Sequence, residues 1–276
     1  LSGEKMMIGA LVCSIGAVIC YMLCYHMTTE RVKVEQNTQK FSFKELISEI
    51  AHNKALIGII VCALLFLLAQ LSLSNMNNYI YPNYFGNVSA MSLANLAGMV
   101  VILVLSTFIV KLSAKVGKKE LSVIGSIISA AAFLILFFIH TDNVWVWIVL
   151  VLISSVGTAM FNMVIWAMIT DVIDDSEVRT GVRQDGTIYS VYSFARKLGQ
   201  ACSSGISGVL LSIIGYTAAT AHDPKVVDGI YNVTCLVPAL GMILLFLALQ
   251  FLYPLNKKRV EENAKILKER REAKVQ

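Results

Sequence analysis

Residues 165–216 read IWAMITDVIDDSEVRTGVRQDGTIYSVYSFARKLGQACSSGISGVLLSIIGY, and this stretch decides the fold class. Two apolar segments flank a short, densely charged turn, and Lys197 sits well inside the second segment. A cation inside a membrane helix is costly, so it is kept there for a partner or a substrate.

The composition agrees. The chain is 57% hydrophobic and only 15% charged, too apolar for a soluble domain of 276 residues. Seven apolar runs have the length of roughly 20 residues that a helix needs to cross a bilayer: 6–27, 55–76, 91–112, 121–140, 144–169, 188–214 and 231–253. The expectation is an all-α integral membrane protein with about seven transmembrane helices. The net charge of +5 lies almost wholly in connectors and the tail. That placement suits lipid headgroups and membrane topology, and no nucleic-acid partner is expected.

Lysines and arginines alternate between connectors. Five lie in 28–54, four in 111–119, two in 170–187 and eight after Tyr253, whereas 77–90, 141–143 and 215–230 hold none, none and one. By the positive-inside rule the C-terminus is cytoplasmic, and a bacterial cytoplasmic membrane is the expected location. Tyr79, Tyr81, Tyr84, Phe85, Trp145 and Trp147 gather at the outer boundary and Tyr21 and Tyr25 at the inner one, where they read as interface anchors.

Transporters with paired halves commonly repeat six-span units. The chain starts at Leu1, and seven spans beginning outside suggest a fragment. Residues 1–27 would be the last helix of a truncated N-terminal half, 28–54 a cytoplasmic linker, 55–253 a complete C-terminal six-helix half and 254–276 a charged cytoplasmic tail, solvated and partly helical. Within the linker, Phe43, Leu46, Ile47 and Ile50 recur at helical spacing and predict a short amphipathic helix.

The six cysteines and four histidines show no metal-ligand spacing, and no nucleophile with its base or phosphate loop is present. No enzyme activity, metal or cofactor is expected. The functional signal lies in polar residues inside the spans. Thr158, Asn162, Trp166, Thr170 and Asp174 fall at four-residue intervals and form one helical stripe. Gln70, Ser74 and Asn78, with Asn75 and Asn77 beside them, form a second. Tyr189, Ser193, Arg196 or Lys197, Gln200 and Ser204 form a third. Lipid offers no hydrogen bonds, so such stripes face one another or a wet cavity; the competing reading is helix–helix adhesion. Ten residues into its span, Lys197 lies roughly 15 Å deep, near the midplane where transporters bind substrates and coupling ions. It would pair with a carboxylate or donate to substrate hydroxyls. Asp171, Asp174, Asp175, Glu177, Arg179, Arg183 and Asp185 read as a cytoplasmic latch of ion pairs, or as a solvated loop.

Trp166-Ala167-Met168, Asp171, Asp174, Glu177, Thr180-Gly181, Arg183, Gly186, Tyr189-Ser190, Lys197-Leu198-Gly199, Gly208 and Gly215-Tyr216 together resemble the second-half signature of one family. It is the glycoside–pentoside–hexuronide:cation symporters, the melibiose-permease group of the major facilitator superfamily. The resemblance implies a major-facilitator-type bundle that moves a sugar or glycoside with Na+ or H+ by alternating access. Lys197 matches the family's lysine in the eleventh helix. The coupling-cation carboxylates of the family lie mostly in the first half, which makes that half a necessary partner. Asn162, Trp166, Tyr192, Asn75, Asn78 and Gln200 would line the substrate path with Lys197. Two departures stand out. Asp175-Ser176 replaces an aromatic–glycine pair, and Asn162 stands where melibiose permease has an aromatic residue, which puts a galactoside in doubt. Arg196 beside Lys197 would suit an anionic glycoside such as a glucuronide. Alternatives are transport of a lysolipid or other amphiphile and a non-transporting sensor built on half a transporter.

Overall fold

Asparagine starts three of the long helices by the same device. Asn53, Asn87 and Asn143 each turn a side-chain oxygen onto a backbone N–H of the following turn, at 3.0, 3.1 and 2.9 Å. The computed structural model describes residues 3–29 and 53–275; the amphipathic segment expected around residues 43–50 lies outside them. The chain divides into two bodies, 1–43 and 44–276. The first contains α1 (Gly3–Met27), an apolar helix with no buried residue.

The second body contains α2 (Lys54–Tyr79), which continues through a π-helical turn at Ile80–Tyr84, then α3 (Val88–Val116), α4 (Lys118–Ile139), α5 (Val144–Thr180), α6 (Asp185–Ile213), α7 (Pro224–Phe251) and α8 (Lys257–Val275). Helix α4 packs on α5 and α7, α2 packs on α7 and α6, and α3 leans on α5. Among the described residues, six helices are long and apolar enough to cross a membrane: α1, α2 with its π turn, α3, α4, α5 and α7. Helix α6, which carries the sixth expected span (188–214), falls outside that set because its polar stripe dilutes its apolar residues.

Small residues set the closest approach. At Gly125 in α4 a Cβ would meet the Gly157 carbonyl oxygen of α5, and at Gly157 a Cβ would meet the Gly125 carbonyl oxygen in return. Beside them the Ser129 and Ser154 hydroxyls share a buried 2.6 Å hydrogen bond. Apolar tails cannot drive helices together in lipid, so such backbone contact and buried hydrogen bonding hold the pair.

Helix ends differ from the apolar runs. Helix α5 has 37 residues, about 55 Å against a hydrocarbon core of about 30 Å. The expected charged turn from Asp171 is therefore mostly helix. Its acidic and basic residues extend the same ladder of hydrogen bonds until Gly181, in the left-handed region at φ 76°, ends it with an N–H to the Glu177 carbonyl at 2.9 Å. The 111–119 connector contracts to Gly117 (φ 112°) between α3 and α4. The charged tail, expected as a solvated and partly helical extension, is helical over Lys257–Val275 and mostly exposed, and α8 also touches the end of α5, burying Asn263 and Leu267. Trp147 and Tyr81, expected as interface anchors, are instead buried against Phe85, with Trp147 also against Tyr231. Trp145 remains exposed.

Adding one methyl at Gly157 forces α4 and α5 apart. Gly157→Ala is expected to cost about 1–3 kcal/mol and to lower the melting temperature of the detergent-solubilised protein. An unchanged melting curve would show that the two backbones do not need this approach.

Candidate functional site

Helix α6 divides into three faces at 100° per residue. Ile188, Tyr192, Gly199, Ser203 and Ser207 are buried. Where Gly199 faces α2, a Cβ would reach the Leu64 Cδ2 at 2.7 Å, so no larger residue fits without moving Leu64. Phe194, Leu198, Val209 and Ile213 form an exposed apolar face. Between the two runs the polar arc of Tyr189, Ser193, Lys197, Gln200 and Ser204, with Arg196 at its buried edge.

Trp166 of α5 meets this arc. Its ring lies 5.9 Å from Tyr189 and 5.9 Å from Tyr192, the second contact edge-on. The Arg196 guanidinium stacks over Trp166 at 4.9 Å and over Tyr192 at 5.8 Å, and its Nη1 donates to the Tyr192 hydroxyl at 3.3 Å. Cation–π contact of this kind holds an arginine in place without neutralising it. Of the sequence-predicted site residues, Trp166 and Tyr192 are thus in contact. Asn162 lies one turn from Trp166 on the same exposed stripe, and Gln200 is half-buried on α6.

Lys197 is exposed and has no hydrogen-bond or ion-pair partner among the described residues. Its neighbour Arg196, turned about 100° away, is the cation that reaches Trp166. Tyr189 also joins the cluster; its place in the four-residue stripe was the signal for it. Asn75 is partly buried and its amide donates to Ser207 of α6 at 3.1 Å, a bond between helices. Asn78 turns its amide back onto the α2 carbonyls of Ser74 and Asn75 at 3.4 and 3.3 Å and stays exposed.

A second cluster occupies the end of the bundle that bears α8. Lys118, the first residue of α4, pairs with the buried carboxylate of Asp171 at 2.6 Å. Arg183 reaches back across the turn to Asp174, Glu177 and Asp185, each at 2.8 Å. Burial works against the charge on Arg183, but its hydrogen bonds to these three carboxylates outweigh that and raise its pKa. Asp175 accepts from Arg259 at 3.2 Å and from Asn263 at 3.0 Å, both on α8, and pairs with Arg179 at 3.4 Å. Arg270 donates to the last carbonyls of α5, those of Glu177 and Val178, at 3.3 and 3.1 Å. Cations suit the negative end of a helix, so α8 also caps α5. These pairs all lie within one body; the sequence-predicted latch residues Asp171, Asp174, Glu177, Arg179 and Arg183 are brought together there.

The model of the family described as MFS/sugar transport protein matches residues 1–257. The chain belongs to this family of major facilitator transporters, and within it to the glycoside–pentoside–hexuronide type. It is similar to an uncharacterised symporter of Bacillus subtilis, 31% identical over 87% of this chain and 52% of the relative. It is 30% identical to the glucuronide carrier protein homolog of Escherichia coli, over 91% of this chain and 55% of the relative. It is also 25% identical to the isoprimeverose transporter of Lactiplantibacillus pentosus, over 92% and 55%. The chain spans about half the length of these relatives. With its family and its long apolar helices, it is an integral membrane protein built as an all-α major-facilitator bundle.

Asp175 ties three partners on two helices, so its removal leaves Arg179, Arg259 and Asn263 facing one another. Asp175→Ala is expected to release α8, so that limited trypsin cleaves the tail about tenfold faster than in the parent protein. A cleavage rate equal to the parent's would mean that the other contacts of α8 suffice.

Proposed function

We propose that this chain supplies the second half of a secondary transporter that moves a sugar or glycoside together with Na+ or H+ by alternating access. The observation that carries the reading is the polar face shared by α5 and α6. Asn162, Trp166, Tyr189, Ser193, Lys197 and Gln200 lie on helices whose other faces are buried or apolar. Sugars are bound by ring-stacking aromatics together with side chains that hydrogen-bond hydroxyls, and a face of this composition offers both. Family membership and the similarity to a glucuronide carrier homolog and an isoprimeverose transporter support the same substrate class.

In this reading the face lines a wet path closed on its far side by the first half of the transporter. Lys197, unpartnered here and roughly 18 Å along α6 from Asp185, meets a carboxylate of that half or the substrate itself. The positive-inside pattern puts the α8 end in the cytoplasm. There the ion pairs of Asp171 and Arg183 keep the charged end of α5 rigid while the halves rock about the site. Lys118–Asp171 links α4 to α5, and Asp175 links α5 to α8.

Lys197→Ala in the complete two-half protein is expected to lower gradient-driven sugar uptake by about a hundredfold, with Lys197→Arg retaining part of it. Uptake of labelled sugar under imposed Na+ and H+ gradients measures both rate and coupling. Intact uptake and coupling in the alanine variant would remove Lys197 from the path.

A further inference from the structure

Away from their ends, the described helices α2–α7 of the second body contain cations but no anions. No aspartate or glutamate occurs from Ala51 to Lys119, from Asn143 to Thr170, from Gly186 to His222, or from Gly229 to Val260. The described acidic residues of this body lie in the connectors, at helix ends or on α8. Arg196 and Lys197 therefore place two positive charges, eleven and twelve residues into α6, with no counter-charge at their depth among the described residues.

The two are held differently. Lys197 is exposed and unpaired, free to reach across to another element. Arg196 is fixed: Trp166 and Tyr192 flank its guanidinium at 4.9 and 5.8 Å, and the only described hydrogen bond it makes is to the Tyr192 hydroxyl. Four of its five N–H donors remain for a ligand. Trp166 and Tyr189, both about half exposed, open the clamp to the polar face. A planar fork pre-oriented on aromatic rings matches a two-oxygen anion, and a neutral hydroxyl would leave its charge uncompensated.

We propose that Arg196 is the substrate-charge determinant of this transporter, binding the carboxylate or sulfonate of an acidic sugar or glycoside whose ring stacks on Trp166. The assignment rests on the sugar-transport reading above and adds the charge of the substrate to it. Lys197 is left for a carboxylate of the other half, so each cation has its own anion.

The test uses the complete transporter in proteoliposomes and two aryl glycosides that differ only at C6, a glucuronide and the matching glucoside. The parent protein is expected to take up the glucuronide with the lower KM. Arg196→Gln raises the glucuronide KM at least about tenfold and changes the glucoside KM less than about twofold, and Arg196→Lys recovers part of the loss. Equal damage to both substrates would assign Arg196 to a pairing across the halves or to packing, and no damage to either would remove it from the site; both overturn the inference. A parent that prefers the glucoside overturns it too, while leaving sugar transport standing. A parent that moves neither glycoside, nor any sugar of a wider neutral and acidic panel, overturns the sugar reading itself. Size-exclusion profiles of both variants matching the parent exclude misfolding as the cause.

Discussion

The contact between the α4 and α5 backbones at Gly125 and Gly157 is the constraint on which the other positions depend. It fixes α5 along α4, with the Ser129–Ser154 hydrogen bond as a polar pin beside it. Within lipid there is no hydrophobic gain in joining two apolar helices, so intimacy of this kind has to come from missing side chains. Helix α5 then runs uninterrupted for 37 residues and carries two polar clusters on one element. Asn162 and Trp166 lie on its membrane-embedded length, and Asp171, Asp174, Asp175 and Glu177 on its charged extension. A displacement of α5 relative to its neighbours moves both sets together. Side chains placed on helices keep tighter geometry than side chains on loops, and α5 links its two clusters without a further element.

The charged extension is organised by opposite logic. Its partners arrive from three directions: Lys118 from the start of α4, Arg183 from beyond the Gly181 cap, and Arg259 and Asn263 from α8. Each pair taken singly is a modest stabiliser where solvent reaches it. Asp175 and Asp171 differ because they are buried, and a buried carboxylate must be paired. The departure from the family signature at Asp175-Ser176 has a physical role in this chain: Asp175 docks α8. An aromatic at that position would offer no carboxylate to Arg259 or Asn263.

How far the sequence reveals this arrangement depends on which force decides each element. The spans are legible because an apolar run of twenty residues has few alternatives to a helix. Their ends are not, because beyond residue 169 the helix continues on capping and ion pairing, which periodicity of apolar residues does not register; Gly181 and Arg183 were the available signals. The stripe on α5 and the arc on α6 were legible as faces, and Trp166 with Tyr192 as members of one cluster. Their phase was not. Arg196 and Lys197 are adjacent, and a rotation of 100° decides which one stacks on Trp166. Asn75 shows the same limit. Its spacing is that of a lining residue, and only the position of Ser207 across the interface shows that its amide bonds between helices. Trp147 and Tyr81 read as headgroup anchors by composition, yet close packing around Phe85 and Tyr231 buries them.

Helix α6 shows why the least hydrophobic helix of the bundle is the informative one. A helix surrounded by lipid and protein can be apolar on all sides, as α3 nearly is. One that borders water on a third of its circumference must give up that third to polar residues. Averaging along the sequence then reports a poor membrane segment, although the two other faces are well suited to their surroundings: Gly199, Ser203 and Ser207 to α2, and Phe194, Leu198 and Val209 to lipid. The polar arc also holds a net charge that no described residue of its own body compensates at that depth. Charge left open within a membrane is stable only if the compensating group comes and goes with the transport cycle or is supplied by the opposing half. The same arc therefore weakens α6 as a membrane helix and, in the transport reading proposed above, is the surface that a substrate meets.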